Sequence, residues 1–121
     1  MDKEVVQYHS DGTIKSVYFL KEGKRHGPIK QWNDRGVLIY DGCFYQGLAE
    51  GIHREFYADG MSYTEKSYKR GLLSGRSKEW SSNGNIQSKE WYVEGSLHGK
   101  QYYWTEKGKR ISTAIHQVAF M

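Results

Sequence analysis

Hydrophobic and polar positions along this chain occur in short runs rather than at helical spacing. No segment combines apolar residues at positions i, i+3, i+4 and i+7 with the capping residues of a helix. Runs of about six to nine residues lie between glycine-containing turns, which is close to the usual length of a strand. The pattern therefore predicts ten strands, at residues 4–9, 13–20, 28–33, 37–45, 52–57, 61–69, 76–81, 85–93, 100–105 and 109–118.

The end of the chain allows two interpretations. Ile111, Ile115, Val118 and Met121 would fit one stripe of a helix, whereas the spacing of the preceding strands predicts another strand. We favour a strand for the first half of 111–121. As an exposed edge of a sheet it would need protection or a partner.

Glycine recurs with a spacing of 24 residues. Thirteen of the 14 glycines fall into three columns, which are 12, 36, 60, 84 and 108; 23, 47, 71 and 95; and 27, 51, 75 and 99. Gly42 stands outside the columns and is expected to add flexibility before Cys43. The chain is long enough for one domain. We divide residues 1–121 into units 12–35, 36–59, 60–83 and 84–107, with half-units 1–11 and 108–121.

Each unit carries two turn signals. The first is the dipeptide ending at the first glycine column, such as Asp11-Gly12 or Asn83-Gly84, which is typical of a hairpin turn. The second is a G-x-x-x-G loop, such as Gly95 to Gly99. A hairpin turn every dozen residues argues against the alternative of a parallel β-helix. The predicted fold is all-β, a single-layer antiparallel meander of 24-residue hairpins.

Two aromatic columns follow the same spacing. One precedes the first glycine column by four residues, and the other follows it by eight; they comprise Tyr8, Trp32, Phe56, Trp80 and Trp104, and Leu20, Phe44, Tyr68 and Tyr92. Side chains alternate between the faces of a strand with a period of two. If that alternation continues across the turns, the even offsets place both columns on one face as a packed ladder.

The repeated unit, seen most clearly from Trp80 and Gly84 through Tyr92 to Gly95 and Gly99, resembles a MORN repeat. It is more similar to the variant repeat of bacterial toxin–antitoxin antitoxin components, over about residues 8–108. The resemblance implies hairpins laid side by side in one sheet. It also implies a binding scaffold that neutralises a toxin partner, and a bacterial source.

Positions at odd offsets vary in chemistry between the units, so we predict that they bind the partner. Large aromatic side chains that the repeat does not require are typical interface anchors. The predicted partner-binding residues are Phe19, Tyr45, Tyr63, Trp91, Tyr103, Lys15 and Lys89, and Val17, Ile39, Asp41, Cys43 and Glu65 share their face. An alternative is that these side chains only cover the second face in a homodimer or under the C-terminal residues.

Other site chemistries find little support. His26 and His98 share a column but lie three units apart, and Cys43 has no histidine in a pairing register, so we expect no metal, cofactor or catalytic site. The 14 acidic residues are interspersed among the 18 basic ones without a long basic stripe, which argues against nucleic acid as a partner. No basic amphipathic helix or lipidation motif favours membrane binding.

The expected function is that of a non-enzymatic protein, an antitoxin or immunity protein that binds a cognate toxin. A formal net charge of +4 favours docking on an acidic toxin surface. The alternative is a structural or scaffolding module that self-associates or contacts anionic membrane. The single cysteine and the absence of a signal sequence at the start predict a cytoplasmic location.

Overall fold

The computed structural model describes the backbone of residues 2–116 and the side chains of residues 2–111. The described residues form strands and turns. The strands are β1 (Asp2–Tyr8), β2 (Ile14–Lys21), β3 (Lys24–Arg25), β4 (Gly27–Trp32), β5 (Leu38–Tyr45), β6 (Leu48–Ala49), β7 (Gly51–Phe56), β8 (Ser62–Lys69), β9 (Leu72–Trp80), β10 (Ile86–Val93), β11 (Ser96–Leu97), β12 (Gly99–Trp104) and β13 (Arg110–His116).

All thirteen strands belong to one antiparallel sheet. Ten of them follow the path β1-β2-β4-β5-β7-β8-β9-β10-β12-β13, so each long strand pairs with its neighbours in sequence. The two-residue strands β3, β6 and β11 pair with β2, β5 and β10. The predicted all-β meander is confirmed, and its ten strands are the ten on this path. The strand interpretation of the C-terminal segment holds for β13, and residues 117–121 lie outside the described part.

The first turn of each unit is a three-residue loop. The amide of His9 donates to the carbonyl of Thr13, and the amide of Gly12 donates to the carbonyl of His9. Gly12 has a φ of 90°, which is the left-handed conformation that closes this type of hairpin. The same pair of hydrogen bonds recurs at the turns around Gly36, Gly60, Gly84 and Gly108.

The second turn is a two-residue hairpin. Lys21 pairs with Lys24, and the intervening Glu22 and Gly23 have φ values of 52° and 79°. Positive φ at both central residues defines a type I′ turn, whose twist matches that of the flanking strands. Successive turns of this kind are joined by hydrogen bonds, from Gly47 N to Arg25 O (2.8 Å) and onward at Gly71 and Gly95.

The predicted placement of both aromatic columns on one face is wrong. In β4 and β5, Lys30 pairs with Asp41 and Gln31 with Tyr40, so even-numbered positions of one strand face odd-numbered positions of the next. Side chains of directly paired residues lie on the same face. The even-numbered Trp32 therefore shares a face with Lys30 and Asp41, and Phe44 lies on the opposite face.

The register assigns a face to every strand position. The tryptophan face holds all four tryptophans, Trp32, Trp80, Trp91 and Trp104, with Phe56 of the first aromatic column. The second face, called here the His53 face, holds His53 with Phe44, Tyr68 and Tyr92 of the second column. The cause is the turn geometry, including the register shift beside each three-residue loop, as between Gln31 and Trp32.

Candidate binding surface

The two faces differ in how completely they are covered. The buried strand residues are small or polar side chains together with one aliphatic side chain, and all lie on the His53 face: Ser16, Ile29, Gly42, His53, Thr64, Ser77 and Gln101. Taller neighbours on adjacent strands shield them from solvent. Among the described residues, no strand position on the tryptophan face is buried. The protein therefore shields part of one face with its own side chains and leaves the other open.

His53 is the centre of the covered face. Its side chain is 4% exposed and packs edge-on against Phe44 and Tyr68, with ring centroids 5.5 Å and 5.0 Å away. The hydroxyl of Tyr40 donates to Nδ1, and Nε2–H donates to the carbonyl oxygen of Cys43 at 2.8 Å. The buried imidazole thus has a partner at each nitrogen.

Gly42 provides the space for that imidazole. A Cβ at Gly42 would lie 2.6 Å from Cε1 and 2.9 Å from Cγ of His53. Every other glycine has a positive φ, whereas Gly42 is buried within β5 in ordinary strand geometry. The expected flexibility before Cys43 is therefore wrong, because this glycine permits a close approach of a ring to the backbone. The sequence did carry a signal for this contact, because Gly42 is the one glycine that falls outside the three repeat columns.

Glu90 organises a second cluster on the His53 face. Its two carboxylate oxygens accept hydrogen bonds from the hydroxyls of Tyr103 (2.6 Å) and Tyr92 (3.1 Å). Burial, together with the negative charge of Glu90 and its hydrogen bond, raises the pKa of Tyr92 to about 12. Burial and the same carboxylate raise the pKa of Tyr103 to about 12. These tyrosines are held neutral as hydrogen-bond donors.

Six of the seven predicted partner-binding residues lie on the tryptophan face. They are Lys15, Phe19, Tyr45, Tyr63, Lys89 and Trp91. Tyr103 is the exception, because it pairs with Ser88 and hydrogen-bonds Glu90 on the His53 face. Its placement with the others is wrong because β12 pairs even-numbered positions with odd-numbered ones of β10.

Aromatic side chains project from the open face. Tyr45 is 56% exposed, Trp91 38% and Tyr63 36%. Each lies on a different second strand of the repeat, so together they span the sheet from β5 to β10. On the same face, Arg54 and Glu65 form an ion pair in which Nε of the arginine lies 3.2 Å from Oε2 of the glutamate. Exposed aromatics spread over a sheet surface are suited to anchoring a partner.

The described residues do not form a catalytic or metal-binding arrangement. The imidazole of His53 contacts the backbone of Cys43, whereas the thiol of Cys43 lies on the tryptophan face, so the two cannot act as a nucleophile and its base. The described side chains include no cluster of three His, Cys, Asp or Glu residues with metal-binding geometry. None of the described residues forms a helix long and apolar enough to cross a membrane.

Comparison with known proteins assigns no family. No protein-family model matches this chain, and no curated protein matches it.

Proposed function

We propose that this chain is a non-enzymatic antitoxin or immunity protein whose tryptophan face binds and neutralises a cognate protein toxin in the bacterial cytoplasm. The observation that carries the proposal is the contrast between the covered His53 face and the open tryptophan face with its exposed aromatics. The resemblance of the 24-residue unit to variant MORN repeats supports the choice of a toxin as the partner.

The absence of a paired nucleophile and base around Cys43 supports a binding role rather than an enzymatic one. The predicted anchors on the tryptophan face are Phe19, Tyr45, Tyr63 and Trp91, with Lys15 and Lys89 beside them. Removing a central aromatic anchor from a protein interface commonly costs about 2 kcal/mol or more of binding free energy. A double variant should therefore lose a partner of ordinary affinity.

The test is isolation of the tagged protein from its native host, followed by identification of what co-purifies. Tyr63→Ala combined with Trp91→Ala should lose a stoichiometric protein partner, because both rings lie exposed on the tryptophan face. The matched control is Leu20→Ala, which removes a half-exposed apolar side chain from the His53 face, where Leu20 alternates with Ser16 along β2, and it should retain the partner.

Expression of the captured partner alone should then arrest growth, and co-expression of this chain should restore it. Recovery of a partner that is harmless alone would contradict the antitoxin assignment while leaving protein binding intact. Recovery of this chain alone, as an oligomer that the double variant disrupts, would favour the alternative of a self-associating scaffold. Recovery with anionic lipid would favour the alternative of a membrane-contacting module.

A further inference from the structure

The sheet separates charges that are adjacent in the sequence. Lys78-Glu79 and Lys89-Glu90 each place a basic residue beside an acidic one. In β9 and β10, Lys78 pairs with Lys89, whereas Glu79 pairs with Ser88 and Glu90 with Ser77. Both lysines therefore lie on the tryptophan face and both glutamates on the His53 face. Basic and acidic residues are interspersed along the sequence, whereas the fold places these on opposite faces of the sheet.

The result is a basic patch at the C-terminal end of the tryptophan face. Its cations are Arg76, Lys78, Lys89, Lys100 and Arg110. Among the described side chains of β9, β10 and β12, no acidic residue shares this face. The bordering strand β8 differs, because Glu65 lies on this face, where it pairs directly with Lys78 and forms an ion pair with Arg54.

The direct pairing of Lys78 with Lys89 is unfavourable by itself. Like charges directly opposite each other on an antiparallel pair destabilise a sheet. Neither lysine is fully exposed, so water does not screen the pair completely. Glu65, which pairs with Lys78 on its other side, offsets part of this repulsion, and an anion bound over the patch would relieve the rest.

Aromatic rings hold several of these cations in place. The guanidinium of Arg76 lies 5.8 Å from the ring centre of Trp91, and the ammonium of Lys89 lies 5.9 Å from Trp104. The guanidinium of Arg110 lies 4.8 Å from the ring of Tyr102. Cation–π contacts at these distances fix the charged groups without neutralising them.

A shallow depression adjoins the same residues. Its volume is about 370 Å³, and its lining includes Trp91, Val93, His98, Lys100 and Tyr102. The ring of Tyr102 is stacked against that of Trp104, with centroids 6.2 Å apart and an interplanar angle of 25°. The depression thus combines ring surfaces with a basic group at its edge.

We propose that this surface, called here the basic–aromatic patch, binds single-stranded nucleic acid. Phosphates would contact the five cations, and an unpaired base would stack on the exposed ring of Trp91. A positively charged surface combined with aromatic stacking groups is the arrangement by which proteins hold single strands without sequence preference. A duplex offers its phosphates but keeps its bases stacked away from the rings, so the patch favours single strands.

Binding is tested on the purified protein alone, independently of any toxin partner. The probe is a fluorescein-labelled oligothymidylate about 20 nucleotides long, and fluorescence anisotropy gives its affinity from about 50 to 200 mM salt. With five phosphate contacts, the logarithm of the affinity should fall against the logarithm of the salt concentration with a slope of about −3.5. A duplex of the same length should bind more weakly.

Charge variants locate the contacts. Lys78→Gln combined with Lys89→Gln should reduce the slope to about −2 and lower the affinity about 25-fold at about 0.1 M salt. The matched control is Lys21→Gln combined with Lys30→Gln, which removes the same charge from the same face. Lys30 lies four strands from β9, or about 19 Å, which is beyond the Debye length. The control should leave the slope unchanged.

The stacking contribution is tested separately. Trp91→Ala should lower the affinity about fivefold to a hundredfold without changing the salt slope. Tyr8→Ala, at an exposed aromatic on the first strand (60%), is its control and should bind as the wild type does. Each variant is used only if its urea unfolding midpoint equals that of the wild type. All five substituted positions outside Trp91 carry exposed or half-exposed side chains.

Three results would overturn the proposal. The first is no binding at about 50 mM salt, and the second is an equal loss in the two lysine double variants. The third is equally tight binding of a decaglutamate peptide or of phosphatidylserine vesicles. That result would assign the patch to an acidic protein surface or to anionic lipid, because neither probe supplies bases for stacking.

Discussion

Gly42→Ala is the substitution that most directly tests how the covered face is built. The added methyl group would lie 2.6 Å from Cε1 of His53, well inside van der Waals contact. The imidazole of His53 cannot shift sideways without meeting Phe44 or Tyr68, whose ring centroids lie 5.5 Å and 5.0 Å from its own. The ring must therefore leave its site, or β5 must move away from β7.

The cost follows from what His53 would lose. Its two hydrogen bonds, from Tyr40 and to Cys43, contribute a net of about 1 kcal/mol each. Overpacking of a filled site adds about 1–3 kcal/mol, and replacing a strand glycine returns about 0.5–1 kcal/mol through the unfolded chain. We expect a loss of about 2–4 kcal/mol in the free energy of unfolding, a large part of the stability of a domain this size.

The assay is equilibrium urea unfolding followed by tryptophan fluorescence, on Gly42→Ala, His53→Ala and the combined variant. The methyl group at position 42 would occupy the space that the imidazole vacates, so the combined variant should be more stable than the sum of the single losses predicts, by at least about 1 kcal/mol. Cys43→Ala, on the opposite face of the same strand, should cost less. The contact would be refuted if Gly42→Ala were as stable as the wild type, or if the losses of the two single variants simply added in the combined variant.

Three further predictions concern the tyrosine cluster and the turns. Glu90→Gln should lower the pKa of both Tyr92 and Tyr103 from about 12, leaving only the part of the increase that is due to burial. Titration followed by tyrosinate absorbance should then show two groups that ionise at lower pH. Unchanged titration curves would contradict the hydrogen bonds to Glu90. The pKa values of both tyrosines in the folded protein lie above the ordinary tyrosine pKa of about 10, so the two neutral hydroxyls contribute fully to stability below about pH 10. That contribution is lost as the pH rises toward 12. The free energy of unfolding of the wild type should therefore fall more steeply across this range than that of Glu90→Gln. Glu22→Asn should increase the free energy of unfolding by a few tenths of a kcal/mol, because Asn tolerates the positive φ of this turn better than Glu does. Glu22→Val should decrease it, and urea unfolding measures both changes.

The turns could be predicted from the sequence because their cause is local. Asp11-Gly12 and the G-x-x-x-G loops report positive φ, and the structure finds it at thirteen glycines. Non-glycine residues at positive φ, such as Glu22 and Gln46, carried no such signal. They adopt it because the type I′ hairpin requires both central residues to do so.

The assignment of side chains to faces could not be predicted so well. Alternation is reliable within one strand, and it correctly grouped Tyr45, Tyr63 and Trp91 with one another only because their strands occupy equivalent places in the repeat. Tyr103 lies on a first strand, and the odd-to-even register of the turn put it on the other face. A single-residue difference in pairing moves every side chain of a strand across the sheet.

The sequence by itself determined the repeat, the strands and the meander, since these depend on glycine φ, alternation and contacts between neighbours in the chain. Only the tertiary structure decided what meets across strands: the imidazole of His53 over Gly42, the two tyrosines on Glu90, and the basic–aromatic patch. His53 and Gly42, Glu90 and Tyr103, and Arg76 and Trp91 are each more than ten residues apart in sequence. They come together through register, which is set by the summed geometry of turns and bulges. One open face and one covered face follow from that register.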